Sequence, residues 1–208
     1  MDKYQTIAGD AAARVVEKKS EFLAFAACTD TEEQAMAFLH DIKAQHRTAR
    51  HHVFAYRLHE GARERCSDDG EPAKTAGLPV LNALVCAEVT DCTVVVVRYF
   101  GGILLGTGGL VRAYGEAAKN CLAAAKKVCI SACVRGVWTV EYPLYETAIK
   151  LLAENGAQVQ TDAIEFADTV TLPFVLQVQN KPPLQAMIRT LCRGNEKIVF
   201  QAPFYAPF

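Results

Sequence analysis

Four consecutive valines, Val94–Val97, run into Arg98, Tyr99 and Phe100 and then into a stretch crowded with glycine. β-Branched side chains pointing to both faces suit a strand that is covered on both sides. Gly101, Gly102, Gly106, Gly108 and Gly109 follow within nine residues. From Leu110 an apolar stripe through Tyr114, Ala117, Cys121 and Ala125 has helical spacing. Thr107 stands where its hydroxyl would cap that helix. The predicted unit is therefore strand, glycine turn, helix N-terminus.

A turn without Cβ atoms lets backbone N–H groups approach a guest, and the helix dipole adds partial positive charge there. A phosphate or carboxylate suits such a place, and Arg98 and Arg112 flank it. Equally, glycines can be needed only because backbones pack closely, and the residues leave both readings open. The named phosphate motifs fail. Gly101 and Gly106 have P-loop spacing, but Thr107 occupies the lysine position; Gly106 and Gly108 begin a dinucleotide fingerprint, but Val111 stands at its third glycine.

The 208 residues are 51% hydrophobic, enough for a sizeable core. A formal net charge of −1 gives no global basic balance, so any RNA contact needs a local patch. No apolar run approaches a membrane span and no signal-peptide pattern opens the chain, so no membrane partner and a cytoplasmic location are expected. Eight cysteines without a secretion signal read as reduced thiols, and Cys129 and Cys133 as inert rather than zinc-binding.

Residues 12–28 alternate loosely and break at Glu17–Ser20, which reads as a hairpin or a pair of edge strands. Thr31 and Gln34 form a capping box ahead of a helical face of Ala35, Phe38, Leu39, Ile42 and His46. Val53, Ala55 and Arg57 alternate with Phe54, Tyr56 and Leu58 in the next strand, which Arg50, His51 and His52 precede. Glu60–Thr75 reads as a polar loop, and Gly77 begins a second helix. The helix after the glycine loop is expected to end near Lys126–Lys127. Strands alternating with helices argue an α/β domain. Beyond it Val137–Tyr142, Gln158–Gln160, Val170–Gln179 and Lys197–Gln201 read as strands. Helices open at Pro143 and at Pro182–Pro183, giving the order β-α-β-β-α-β of ferredoxin-like domains.

The spaced residues Gly77, Val80-Leu81, Leu84, Val89, Val95-Val96, Arg98 through Gly102, and Gly106 resemble the signature of the IMPACT family, in its bacterial branch. Arg50-His51-His52, Ser67-Asp68-Asp69-Gly70-Glu71-Pro72, Thr75-Ala76-Gly77 and Gly108-Gly109-Leu110 extend the likeness over about residues 50–114. Lys74 departs from it, standing where relatives have a small residue, usually glycine, and adds a charge beside the acidic loop. The resemblance implies a two-domain α+β or α/β chain. Residues 1–134 would be like the second domain of a small-subunit ribosomal protein. Residues 135–208 would be like the ferredoxin-like last domain of elongation factor G. It also implies a tie to translation, and together with the residues the reading is a non-enzymatic cytosolic protein, without cofactor or metal, that binds RNA, the ribosome or a translation factor.

Candidate contacts to an anion or nucleic acid are then the five glycines with Arg98, Tyr99, Thr107 and Arg112, joined by His51, His52 and Lys74. In the second domain Lys181, Arg189 and Arg193 gather in and beside one helix, although that domain holds six Lys and Arg against seven Asp and Glu. Arg189 and Arg193, four apart, would share a helical face. The alternative is a metal-dependent, peptidase-like hydrolase using Asp68, Asp69 and Glu71 with His51 or His52. Against it, Asp-Asp-Gly after Ser67 is an ordinary turn sequence, and the acidic residues could instead contact the glycine-loop arginines.

Overall fold

The computed structural model describes residues 3–208. They fall into two compact units, one of Tyr4–Val128 and the other built mainly from Cys129–Phe208. After β1 (Lys3–Ile7), β2 (Ala11–Glu17) and β3 (Ser20–Cys28) form the expected hairpin. Its turn residues Lys18 and Lys19 have φ of 46° and 65°, the twist that matches two flanking strands. In α1 (Glu32–Gln45), Thr31 Oγ1 accepts from Gln34 N at 3.2 Å, and Gln34 Oε1 accepts from Asp30 N at 3.1 Å.

The chain continues through β4 (His51–Leu58), β5 (Arg63–Ser67), α2 (Gly77–Cys86), β6 (Cys92–Tyr99) and α3 (Thr107–Ala124). The sheet order is β2-β3-β6-β4-β5, and its four pairings are antiparallel. This corrects the α/β reading of the first domain to α+β. A continuous apolar run reports burial on two faces and says nothing about strand direction.

The two faces are covered by different helices. Val94 and Val96 pack in one cluster with Val80, Leu84, Leu110 and Tyr114 of α2 and α3, and Val95 and Val97 in another with Ala35, Leu39 and Ile42 of α1. All four valines are fully buried, each worth roughly 2 kcal/mol. The polar segment Glu60–Thr75 is not all loop, because β5 pairs with β4 over Arg63–Ser67. Its Arg-Glu-Arg run carries no apolar signal because an edge strand can face solvent, where charge also blocks further pairing.

In the second unit the central strand is β7 (Lys127–Val140), which therefore begins ten residues before the expected Val137. Lys127 opens a strand rather than closing α3, and residues 134 and 135 lie inside β7. There follow α4 (Tyr145–Glu154), β8 (Gln158–Val159), β9 (Glu165–Phe166), β10 (Val170–Gln177), α5 (Lys181–Leu191), β11 (Lys197–Phe200) and β12 (Phe204–Pro207). β10 and β11 flank β7, β8 lies outside β10, and all three pairings are antiparallel. The core places Trp138, Leu172 and Phe174 against Ala148, Leu152, Leu184 and Ile188. α5 ends before Arg193, which is left-handed at φ 51°, while Gly194 N donates to Arg189 O at 2.9 Å. Arg189 and Arg193 therefore do not share a helical face as their spacing predicts.

At Gly101 a Cβ would meet the Lys19 carbonyl carbon at 2.0 Å, whereas at Gly108 it would meet nothing within 4 Å. Gly101→Ala is expected to cost about 3 kcal/mol through backbone displacement. Gly108→Ala is expected to stabilise by about 0.5–1 kcal/mol, through lower chain entropy and better helix propensity. Urea denaturation of the two variants checks both signs.

Candidate functional site

Three segments meet at one end of the five-stranded sheet: the start of β4, the turn after β5, and the glycine loop after β6. Register places His51 directly opposite Arg98. The turn after β5 is tied down by Asp68. Its Oδ1 accepts from Ala76 N at 3.0 Å and Gly77 N at 2.8 Å, and its Oδ2 from Lys74 N at 2.8 Å. Burial pushes the Asp68 carboxyl up, but these three donors outweigh it and hold the group below its ordinary value. α2 thus receives its N-terminal acceptor from nine residues upstream. Lys74 is left-handed at φ 64°, a conformation that glycine takes without strain.

Asp69 serves the neighbouring strand. Its Oδ2 accepts from His52 N at 2.7 Å, and its main-chain oxygen bonds His51 Nδ1 at 2.8 Å. A carbonyl oxygen only accepts, so Nδ1 carries a proton and donates it to Asp69 O. Nε2 lies 3.9 Å from Glu71 Oε1. That carboxylate is the hub: it accepts from Arg98 Nη1 at 2.6 Å and from Tyr114 Oη at 2.7 Å. The Glu71 and Arg98 side chains are only 4% and 7% exposed. Burial, and then the bond to Glu71, push the Tyr114 hydroxyl far up. Arg98 also lies 5.6 Å from the ring centres of both Phe22 and Phe100, and its Nε has no partner among the described residues.

Outside this network is a cleft of about 240 Å³ lined by Arg50, His51, Glu71, Arg98, Phe100 and Leu104. Arg50 is exposed and forms no ion pair among the described residues. Phe100 and Leu104 are 49% and 82% exposed. Beyond them α3 begins, but Thr107 does not cap it. Gly106 is the N-cap, left-handed at φ 73°, and having no side chain it supplies no cap of its own. Thr107 fails as cap because the left-handed turn puts it inside the helix.

The sequence-predicted residues separate into groups. His51, Glu71 and Arg98 come together at the cleft, with Gly101 and the left-handed Gly102 in the loop beside it. Gly108 is exposed, Gly109 sits against Leu105, and Arg112 is exposed without an ion pair among the described residues. Tyr99 and His52 turn to His46, Tyr99 Oη lying 3.0 Å from its Nδ1 and His52 Nε2 3.1 Å from its carbonyl oxygen. Ser67 Oγ accepts from Asp69 N at 3.2 Å. In the other unit Lys181 Nζ lies 4.6 Å from the Phe200 ring centre, while Arg189 and Arg193 are exposed. Tyr114, expected only as part of an apolar stripe, is a polar member of the network. Its signal was a hydroxyl on a buried helix face, which needs a partner.

The acidic loop does not form the ligand set of the hydrolase alternative. Asp68 is engaged by backbone amides and Glu71 by Arg98 and Tyr114. Among the described residues no group of three His, Cys, Asp or Glu is placed to hold a metal ion.

Two outcomes are expected. Glu71→Gln leaves the buried Arg98 cation without its counter-charge and costs about 3 kcal/mol. Adding Arg98→Met should recover about half of that loss, as chemical denaturation of the double-mutant cycle would read. For Asp68, a folded pKa below the ordinary 3.8 means its stabilisation is complete above that value and is lost as pH falls below it. Asp68→Ala should therefore be less stable by about 2 kcal/mol at neutral pH, with the gap closing below pH 3.8.

Comparison with known proteins accounts for half of the chain directly. The model of the Impact N-terminal domain matches residues 18–122, which contain the whole cleft. The chain is 49% identical over 108 residues to the IMPACT family member YigZ of Escherichia coli K12, covering 50% of this chain and 53% of that protein. It is 48% identical over 108 residues to an IMPACT family member of Haemophilus influenzae, covering 50% and 52%. The match thus spans about half the length of these relatives. A solved structure titled as that of a hypothetical protein aligns with a TM-score of 0.64 at 32% identity, covering 96% of this chain and 97% of that one. With its N-terminal unit matched from the β2–β3 turn to the last turn of α3, the chain belongs to the IMPACT family.

Proposed function

We propose that this protein is a non-enzymatic, cytoplasmic partner of the translation apparatus that contacts RNA through the cleft end of its first unit. The observation that carries the reading is exposed Arg50, without an ion pair among the described residues, beside the half-exposed Phe100 and the glycine-led start of α3. Arg50 supplies charge for a phosphate, and Phe100 a face on which a base can stack. The first amides of α3 supply donors that no intrahelical acceptor satisfies. His51, which lines the cleft, offers a ring nitrogen to the sugar or phosphate of such a strand.

The architecture supports the same reading by analogy. We read the second unit, with the order β8-β10-β7-β11 and α4 and α5 as connections, as ferredoxin-like. We read the first unit as like the second domain of a small-subunit ribosomal protein. Both likenesses lead to translation proteins and carry only the weight of fold analogy. Arg189 and Arg193 offer a second, weaker contact, since Lys181 is already held over Phe200.

Sedimentation with ribosomal particles across a salt series tests the proposal. The double variant Arg50→Gln, Phe100→Ala should bind about tenfold more weakly, with a salt slope shallower by about one. Arg189→Gln should change both far less. Equal affinity and slope for the double variant and the unaltered protein would overturn the assignment to the cleft.

A further inference from the structure

At the opposite end of β6 the strand begins with Cys92, and its partner across the ladder to β3 is Cys28. Both are free thiols. Thr29 N donates to Asp91 O at 3.0 Å, which makes residues 29 and 91 a hydrogen-bonded pair. Pairs alternate along an antiparallel ladder, so Cys28 and Cys92, one step inward, are a non-hydrogen-bonded pair. That is the closer kind, with Cα atoms about 4.5 Å apart and side chains on the same face. A disulfide accepts Cα separations from about 4.4 Å upward. Residue parity gives the same face independently, because Cys28 follows Phe22, Ala24 and Ala26, and Cys92 precedes Val94 and Val96, all in one core cluster.

The two thiols differ in access. Cys28 is exposed at the end of β3, with Sγ 3.6 Å from Thr6 Oγ1, whereas Cys92 is fully buried. Cys121 of α3 is the other thiol whose proximity acts on Cys92, but Cys121 is itself buried. Burial, then the neighbouring Cys28, push the Cys92 thiol up, so Cys92 does not start thiol chemistry.

We propose that Cys28 and Cys92 form a cross-strand disulfide site that reacts with small disulfides such as oxidised glutathione. Cys28 attacks first: its sulfur bonds one glutathione sulfur, the glutathione S–S bond breaks, and one glutathione thiol leaves with the proton. The Cys92 sulfur then attacks the Cys28 sulfur of the mixed disulfide, and a second glutathione thiol departs with the Cys92 proton. Two protein thiols are oxidised and one glutathione disulfide is reduced to two thiols. The product staples β3 to β6.

The test incubates the full chain carrying Cys86→Ser with oxidised glutathione. That substitution removes the exposed thiol closest in sequence to Cys92. Remaining thiols are alkylated in denaturant, and peptides are mapped without reductant. The expected result is one linked pair, Cys28 to Cys92, lighter by the mass of two hydrogen atoms. The unfolding midpoint in urea should rise, and dithiothreitol should return it. Cys28→Ser should abolish both changes. Stable glutathione on Cys28 with Cys92 alkylated, a Cys92–Cys121 link, or an unmodified Cys28 would each overturn the proposal.

Discussion

Burial of β6 on both faces is the constraint on which the first unit rests. A strand with no solvent-facing side has to be covered twice, and α1 covers one face while α2 and α3 cover the other. Flanking strands on both edges satisfy its backbone. The chain can leave this dry interior only at the strand ends, so polar function collects there. At the C-terminal end, Val97 is followed by Arg98, still 94% buried, before the glycine loop reaches solvent.

A buried arginine needs its charge answered where water cannot do so, and Glu71 supplies the answer. Such a pair contributes little net stability, because two desolvations offset the attraction. Its effect here is positional. The carboxylate comes from the turn after β5, the guanidinium from β6 and the phenol from α3, so three elements distant in sequence are fixed around one oxygen atom. Asp68 and Asp69 add further ties, to the start of α2 and to β4. The cleft wall is thus rigid on its acidic side and carries exposed apolar residues on its glycine-loop side.

Much of this was legible in the sequence, because periodicity reports which faces are buried. The hairpin, the capped α1, the valine strand and the β-α-β-β-α-β succession of the second unit follow from local patterning, whereas β1, β9 and β12 do not. Strand direction did not follow, since an apolar run reads alike in parallel and antiparallel sheets. β5 escaped because its charged residues look like loop when only an edge is being formed. In the site, Arg98, Glu71 and His51 could be singled out by type, but their convergence depends on the β4–β6 register, a long-range property. Thr107 misled because the left-handed Gly106 moves the helix start by one residue. Arg193 misled because spacing alone does not show where a helix stops.

The close approach at Gly101 has a consequence for how the unit assembles. The glycine loop rests on the turn of the β2–β3 hairpin, with Gly101 N donating to Ser20 Oγ at 3.1 Å across a separation of 81 residues. The loop therefore has no template of its own, and its shape is completed only once that hairpin has docked along β6. Contacts so distant in sequence lengthen the search for the native topology and form after local structure. A hairpin that frays late, or docks slowly, would leave the cleft unformed while the helices around it are already folded.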